Sequence, residues 1–161
     1  NEVIVGNSVS NAEIYFDLIK NPIIFNREIL DYNSYKDSFE AVKFIYEPKI
    51  INEISFDSTD PIIQKRSNIV IDNNGPTRLD GILIVDGDLE IKTDFTINGF
   101  LIVKGNIKIE DTNTLIINGG LLVGGGDKRQ INYTYRIENF IKYFKIDEAI
   151  IKPKILSKSI Y

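Results

Sequence analysis

Five acidic residues in the middle of the chain have the side chains that acid–base or calcium chemistry requires. They are Asp86, Asp88, Asp94, Glu110 and Asp111. Two neighbouring carboxylates perform glycoside hydrolysis, and a group of carboxylate oxygens binds calcium. These residues alternate with lysine and asparagine, however, and the chain has no EF-hand loop and no calcium-binding β-roll repeat. The pattern therefore favours a solvated, charge-paired surface over a catalytic or metal site.

A glycine-rich stretch, residues 119–126, precedes three charged residues and invites comparison with a phosphate-binding loop. The P-loop pattern needs a lysine directly after its second glycine, followed by serine or threonine. Here Asp127 separates the glycines from Lys128, and Arg129 stands where the hydroxyl residue should be. We therefore interpret the glycines as the last turn of a repeat.

Composition excludes several other kinds of site. The 161 residues include no cysteine and no histidine, which excludes cysteine or histidine nucleophiles, zinc fingers and a disulfide framework. The net charge of −4 argues against nucleic-acid binding, which usually needs a basic face. We predict a protein that is not an enzyme, without catalytic, cofactor-binding or metal-binding residues, and we expect no cofactor and no small-molecule ligand.

A repeat organises the centre of the sequence. The segment GILIVDGD, at residues 81–88, recurs as GFLIVKGN, at 99–106, with an offset of 18, and GGLLVGG, at 119–125, follows at a further offset of 20. The two additional residues fall in the polar insert DTNT, at 111–114. One such unit cannot bury its own apolar face, so neighbouring units must stack. The period predicts a short parallel β-solenoid of about three coils of 18–20 residues.

Apolar and polar residues alternate within each coil. In DLEIK, at residues 88–92, Leu89 and Ile91 alternate with charged residues, as in a strand with one wet face. NIVID, at residues 68–72, precedes it at an offset of 20, has a similar pattern and resembles a worn first copy. The solenoid is therefore predicted to begin by Asn68.

The charged residues provide an independent test of this register. Neighbouring strands lie about 4.8 Å apart, so side chains in equivalent positions of adjacent coils would touch, and a slip would bring like charges together. By the same stacking, Asn98 and Asn118 should form a hydrogen-bonded ladder. The opposite-charge pairs are Asp86–Lys104, Glu90–Lys108 and Lys92–Glu110 at an offset of 18, and Asp72–Lys92 at an offset of 20.

The sequence divides into three regions, which together suit one compact domain. Residues 1–66 are predicted to form an N-terminal helical cap with short strands at 23–25 and 50–56. Residues 67–126 form the parallel β-solenoid, and residues 127–161 a C-terminal helix with an extended, basic tail. The expected fold class is mainly β with flanking helices.

Amphipathic helices are predicted on both sides of the solenoid. A capping-box pattern at residues 10–13 starts the first helix, which ends before Pro22. The second spans residues 34–46, and the third starts at Asn132 or Thr134. Because the end strands of a solenoid expose unpaired N–H and C=O groups, we expect these helices to close the ends against polymerisation. The apolar face of the third helix comprises Ile137, Phe140, Ile141 and Phe144.

The repeat resembles a known family. GILIVDGDLEI, at residues 81–91, and TINGFLIVKG, at 96–105, look like the β-solenoid part of PilX-type, type IV pilus-associated proteins, which are minor-pilin-like surface proteins of Gram-positive bacteria. The resemblance covers roughly residues 67–145. It implies a non-enzymatic, extracellular structural role in a pilus or its assembly. No functional residue is carried over, because the shared positions are glycines and core aliphatics.

The resemblance also implies partners and a location. The expected partners are other pilus or surface proteins, contacted through the helical ends, and no nucleic acid. Members of the family carry an N-terminal apolar helix that enters the membrane, and this sequence lacks such a segment. Because the chain begins at Asn1 and contains no methionine, we interpret it as a piece of a longer or processed protein, anchored at the cell surface.

Two alternatives remain open from the residues. Bactofilins, which are cytoskeletal polymers, have the same kind of coil, but this chain places a long, structured-looking region before it. A carbohydrate-binding solenoid is the third possibility, with Asp86 or Asp88 in contact with the glycan. Three coils offer little groove for such a ligand.

Overall fold

The computed structural model describes residue 23 and residues 26–52 and 60–145. In this part of the chain the fold is mainly β, a parallel β-solenoid of about four turns with an α-helix and two short 3₁₀ helices beside it. The strands are β1 (Leu30–Asp31), β2 (Lys49–Ile50), β3 (Ile62–Lys65), β4 (Ile69–Ile71), β5 (Arg78–Val85), β6 (Leu89–Ile91), β7 (Phe95–Ile109), β8 (Leu115–Gly126) and β9 (Ile131–Tyr135); the helix α1 spans Tyr32–Glu40, and the 3₁₀ helices span Ile137–Asn139 and Ile141–Tyr143.

The stacking register is the one that the repeat predicts. Gly81 pairs with Gly99, and Gly99 pairs with Gly119, so both predicted offsets are confirmed. β4 pairs with β6 at the offset predicted from the worn first copy. After Val103 the register between β7 and β8 shifts, and Ile107 pairs with Gly126. The turn of the last coil is therefore one residue shorter than the turn beneath it.

Each full coil has three extended segments, which stack on their equivalents in neighbouring coils to form three faces. We name them from one coil: residues 78–80 lie in face 1, 82–85 in face 2 and 89–91 in face 3. Gly81, with a φ of 146°, separates the first two segments. A β-carbon there would overlap the carbonyl oxygen of Pro61, so only glycine permits the coils to approach at this corner.

The ladder is longer than the predicted residues 67–126, with about four turns rather than three. β3 pairs with β5 in parallel and adds a row before Asn68. β3 lacks the glycine corner of the later copies, so the repeat pattern alone did not reveal it. β9 pairs with β8 and adds a row after Gly126.

The prediction of a third α-helix was wrong. The structure places β9 where that helix should begin, and two 3₁₀ helices follow it. The outer edge of β8 presents unpaired backbone groups, and pairing with them stabilises an extended β9 over a local helix. Phe140 and Phe144, expected on one helical face, are both buried in the same apolar cluster.

Two apolar clusters lie on opposite sides of face 2. The inner cluster fills the solenoid and includes Leu83 and Val85, whereas the outer cluster includes Ile82, Ile84 and Phe100. A strand covered on both sides has no wet face, and this is why face 2 has unbroken apolar runs while faces 1 and 3 alternate.

The helix α1 covers the outer side of face 2, so this helix does not cap an end of the ladder as expected. The helix itself confirms the second predicted helix, although it ends at Glu40 rather than 46. Asp31 caps its first turn by accepting a hydrogen bond from the Ser34 backbone N–H at 3.2 Å. Tyr32 is buried, and Phe39 packs against the outer cluster.

Short strands close the ends of face 2. β1 pairs with Leu122 and Val123 at one end of the ladder, and β2 pairs with β3 at the other. Residues 30–50 therefore run the length of face 2, and we call them the strap. The distance between its two ends is roughly 24 Å, for five strand spacings. A helix of nine residues covers at most about 14 Å, and the irregular residues 41–48 connect it to β2.

Several predictions fall outside the described residues. They are the first helix, the extended tail after 147 and most of the strands predicted at 23–25 and 50–56. Ile23, the described residue of the first strand, is buried but helical, so the strand prediction was wrong at that residue; the second is represented by the two-residue β2. Within the described part of the chain, no helix is both long and apolar enough to cross a membrane.

Candidate functional site

Asp86 lies at the corner between faces 2 and 3, and its carboxylate is shared by three coils. Gln64 Nε2 donates to both oxygens at 3.0 Å, and Lys104 Nζ lies 3.1 Å from Oδ1. The predicted stacking of Asp86 on Lys104 is therefore confirmed. Lys104 also lies 5.9 Å from the Phe39 ring of the strap helix, which connects this polar column to the outer cluster.

The other predicted charge pairs are weaker or do not form. Lys108 Nζ lies 3.9 Å from Glu90 Oε2, which confirms that pair. Lys92 and Glu110 stack through their backbones, since the Glu110 N–H donates to Ile91 O. Among the described residues, however, neither Lys92–Glu110 nor Asp72–Lys92 forms an ion pair within 4.0 Å, so those two predictions were wrong. Both lie where a strand gives way to a turn, and the side chains there are no longer held parallel.

Replacing Lys104 with alanine should cost about 1 kcal/mol of unfolding free energy, and replacing Lys108 less than about 0.5 kcal/mol. The Lys104 side chain is 31% exposed and holds a half-buried carboxylate, whereas the Lys108 side chain is 78% exposed. Urea denaturation followed by circular dichroism measures both values. The difference between the two losses of unfolding free energy should become smaller in about 0.5 M salt, which screens the ion pairs. Equal losses for the two variants at low salt would contradict this ranking.

Asp88 and Asp94 hold the corners of the coils together. Asp88 Oδ1 accepts a hydrogen bond from the Asn106 backbone N–H at 2.8 Å, and Asp94 Oδ1 accepts one from Thr114 N–H at 2.8 Å. Asn68 Oδ1 receives the Asp88 N–H in the same way, at 2.8 Å. These side chains satisfy backbone donors of the next coil, which is a structural task.

Asp80, Asn98 and Asn118 form a polar column on face 1. Asn118 Nδ2 donates to Asn98 Oδ1 at 2.9 Å, so the asparagine ladder is confirmed, and Asn98 Nδ2 donates to Asp80 Oδ1 at 3.0 Å. Hydrogen bonds from Arg78 and then from Asn98 hold the pKa of the Asp80 carboxyl below its usual value. Sequence reasoning missed Asp80, although it occupies the same position of the repeat as the two asparagines.

The charge of Asp80 should make a small, pH-dependent contribution to stability. Because the pKa of Asp80 is lowered by folding from 3.8, its ionised form stabilises the fold above that pH, and the contribution is lost as the pH falls further. At neutral pH, Asp80→Asn should cost up to about 1 kcal/mol. Urea titrations should show the two proteins converging as the pH falls below 3.8. A difference that does not change with pH would contradict the assignment.

The glycine-rich stretch lies in the last coil of the solenoid, and β9 adds one more row beyond that coil. Residues 119–126 lie in β8 and pair with β7 rather than forming a phosphate-binding loop. Asp127 accepts a hydrogen bond from the Arg129 backbone N–H at 3.0 Å, and its carboxylate lies 3.3 Å from Arg129 Nε. This small turn redirects the chain towards β9.

Two acidic candidates remain. Asp111 lines an open cleft of about 640 Å³, and Glu110 lies next to the cleft. Gln130 fixes this region, because its Nε2 lies within hydrogen-bonding distance of three carbonyl oxygens, 3.0 Å from Glu110 O, 3.3 Å from Asp111 O and 3.1 Å from Asn113 O. Burial raises the pKa of Tyr133 to about 12, so its phenol stays neutral at one side of the cleft. The cleft is lined by Asp111, Thr112, Asn113, Thr114, Arg129, Gln130, Ile131, Asn132 and Tyr133.

The five acidic candidates are thus distributed among different tasks. Asp86 is paired with lysine, Asp88 and Asp94 bond to backbone, and Asp111 borders the cleft. In the ranges that the structure describes, no three acidic side chains come together as metal ligands.

No protein-family model, curated protein or solved structure matches this chain. Its function must therefore be argued from the solenoid and from the side chains that it brings together.

Proposed function

We propose that this chain is a non-enzymatic structural domain of a surface protein associated with a type IV pilus, of the minor-pilin kind. The observation that carries this proposal is that the chain's own strands cover face 2 at both ends of the ladder and face 1 at one end. β1 and β9 both pair with β8 at one end, and β2 pairs with β3 at the other. A discrete, stiff module of this kind suits display within a larger surface assembly.

The same closure disfavours the bactofilin-like alternative. A solenoid that polymerises end to end needs free edges where the next copy can continue the ladder. Here β9 covers β8 from Leu115 to Gly119, and β1 covers Leu122 and Val123. A second copy would have to displace both strands before its own coil could pair with β8.

The polar residues of the coils also support a structural role. Asp86, Asp88 and Asp94 each bond to a neighbouring coil. Their contacts fix the register of the coils and the geometry of the corners. Together these contacts make the solenoid a rigid rod. In this proposal the mechanism is mechanical: the solenoid holds its surface segments at fixed positions for other subunits.

The partner contact is proposed at the end of the strap near β2, for another pilus or surface subunit. Ile45, Tyr46 and Ile50 are 43%, 58% and 43% exposed, which makes them unusual among the large apolar residues that the structure describes. Tyr46 also lines a depression of about 370 Å³ together with Pro61. Exposed apolar residues grouped in one segment are typical of contact surfaces.

Immunogold electron microscopy on cells that produce the protein tests the location. Antibodies raised against this chain should label pili or the outer surface of intact cells. Gold particles confined to cytoplasmic structures would contradict the proposal.

Analytical ultracentrifugation of the purified chain separates the structural alternatives. The expected result is a small, defined species with no filaments visible by negative stain. Long filaments of the purified chain would favour the polymer instead.

A further inference from the structure

Among the residues that the structure describes, the last coil of the solenoid lacks its third segment, and a cleft lies at that place. β7 extends through Ile109 in face 3, but its pairing with β8 stops at Gly126. The chain then turns at Asp127 and returns as β9 above face 1. Within the described residues, no strand continues face 3 above Ile109. In the described part of the chain, β9 and the polar insert border the inner core on this side.

The floor of the cleft is apolar and aromatic. Ile131 and Tyr133 alternate with outward-facing residues in β9 and pack against the inner cluster, while both also line the cleft. The Tyr133 hydroxyl lies 3.4 Å from Gly119 O and is directed into the molecule. The polar tip of Tyr133 therefore faces the interior, and its ring borders the cleft.

The rim is polar and preformed. Gln130 fixes the insert 111–114 through the three carbonyl contacts described above, and the Thr114 N–H is held by Asp94. In contrast, the side chains of Thr112, Asn113 and Asn132 make no hydrogen bond within the described part of the chain, and all three line the cleft. Hydroxyl and amide groups both donate and accept, so the rim offers both kinds of partner to a ligand.

The cleft has no excess of charge. Its charged lining residues are one carboxylate, Asp111, and one guanidinium, Arg129. Arg129 is already paired with Asp127 at 3.3 Å. A strongly anionic or cationic ligand would therefore find no complementary field here.

We propose that this cleft binds a neutral saccharide. A sugar ring has an apolar face, which fits against Tyr133 and Ile131, and hydroxyl groups around its edge, which fit the rim. The volume of about 640 Å³ lies in the range of small-ligand sites. The inference does not rest on the pilus role, and it places the ligand away from Asp86 and Asp88, where the sequence suggests a glycan could bind.

The test is amide-correlation NMR on the purified full chain, titrated separately with cellotetraose, chitotetraose, maltotetraose and tetragalacturonate. At least one neutral saccharide should shift the amide signals of residues 111–114 and 129–133 in a saturable manner. Failure of all three neutral saccharides to do so would overturn the proposal. Shifts confined to the surface around Asp86, or binding of tetragalacturonate alone, would also overturn it.

Variants of β9 provide matched controls. Asn132→Ala should weaken saccharide binding about threefold to tenfold, the equivalent of one hydrogen bond. Thr134→Ala, two residues further along the same strand and outside the cleft, should leave the affinity unchanged. Equal effects of these two exposed substitutions would overturn the assignment.

Tyr133→Leu keeps an apolar side chain under the cleft but removes the ring, so it should reduce affinity more than about tenfold. Circular dichroism shows whether this variant still folds. If it does not fold, the comparison of Asn132→Ala with Thr134→Ala decides the matter.

Discussion

Replacing Gly99 with alanine should lower the free energy of unfolding by about 3–5 kcal/mol, because backbone strain and overpacking add. Gly99 has a φ of 158° and lies between Gly81 and Gly119 in a column of stacked glycines. A β-carbon at this position would overlap the carbonyl oxygen of Gly81 in the adjacent coil. That oxygen belongs to the backbone and cannot rotate away, so the two coils would have to separate. Urea denaturation followed by circular dichroism measures the loss.

Gly125→Ala is the matched control for this substitution. Gly125 also lies in a strand of the solenoid, but a β-carbon there would mainly meet the Asn106 side chain, which can adjust. We expect it to cost less than about 1 kcal/mol. Losses of similar size for Gly99→Ala and Gly125→Ala would show that the glycine column does not set the spacing of the coils.

The second large effect is expected at Phe100, whose replacement with alanine should cost about 3–5 kcal/mol. The ring is 1% exposed and joins face 2 to the segment that follows β9. Its centroid lies 4.9 Å from that of Phe140 and 5.7 Å from that of Phe144. Removing the ring leaves a cavity in the outer cluster. It also removes the contacts between face 2 and the segment that contains Phe140 and Phe144. Val70→Ala, at an apolar position that is 43% exposed, should cost less than about 1 kcal/mol and serves as the comparison.

A double-mutant cycle makes this prediction more specific. Phe100 pairs with Gly120 across β7 and β8, and a β-carbon on Gly120 would overlap the Phe100 ring. Gly120→Ala should therefore cost about 1–3 kcal/mol in the natural protein but much less when residue 100 is alanine. Strictly additive losses would mean that the ring does not occupy the space above Gly120.

The stacking of the central coils could be predicted because it depends on patterns that are local and repeated. Alternation in DLEIK, at residues 88–92, identifies the inward residues, and the repeated glycines fix the offset. The pairing of Asp86 with Lys104 then follows from the strand spacing alone. The ion pairs predicted at the strand ends, such as Lys92 with Glu110, do not form. The distance between strands no longer constrains the side chains once a turn begins.

The ends and the covering of the solenoid could not be predicted in the same way. β9 alternates apolar and polar residues, which is a strand pattern that the helix prediction overlooked, and pairing with the free edge of β8 favours the strand. The strap was expected above an end of the ladder, but face 2 is apolar on its outer side and α1 lies there. Asp80 was overlooked because its importance comes from Arg78 and Asn98 together.

The cleft illustrates the same division. The sequence shows the insert 111–114 as two residues too many for the repeat, but it assigns them no purpose. In the structure they face β9, which forms the floor of the cleft. β9 begins at Ile131, so the whole of β8 lies between the insert and β9 in the sequence. A contact between segments so far apart in the chain leaves no trace in the repeat pattern.

By itself, the sequence determined that this protein is a parallel β-solenoid with a defined register. It could do so because period-two alternation and glycine spacing act between equivalent positions of adjacent coils, whose separation is set by backbone hydrogen bonds. Only the tertiary structure decided how the ladder is closed, which face is covered and where a cleft remains. Those outcomes depend on segments outside the repeat. Each of these segments pairs with backbone groups, or covers apolar surface, that the coils leave exposed.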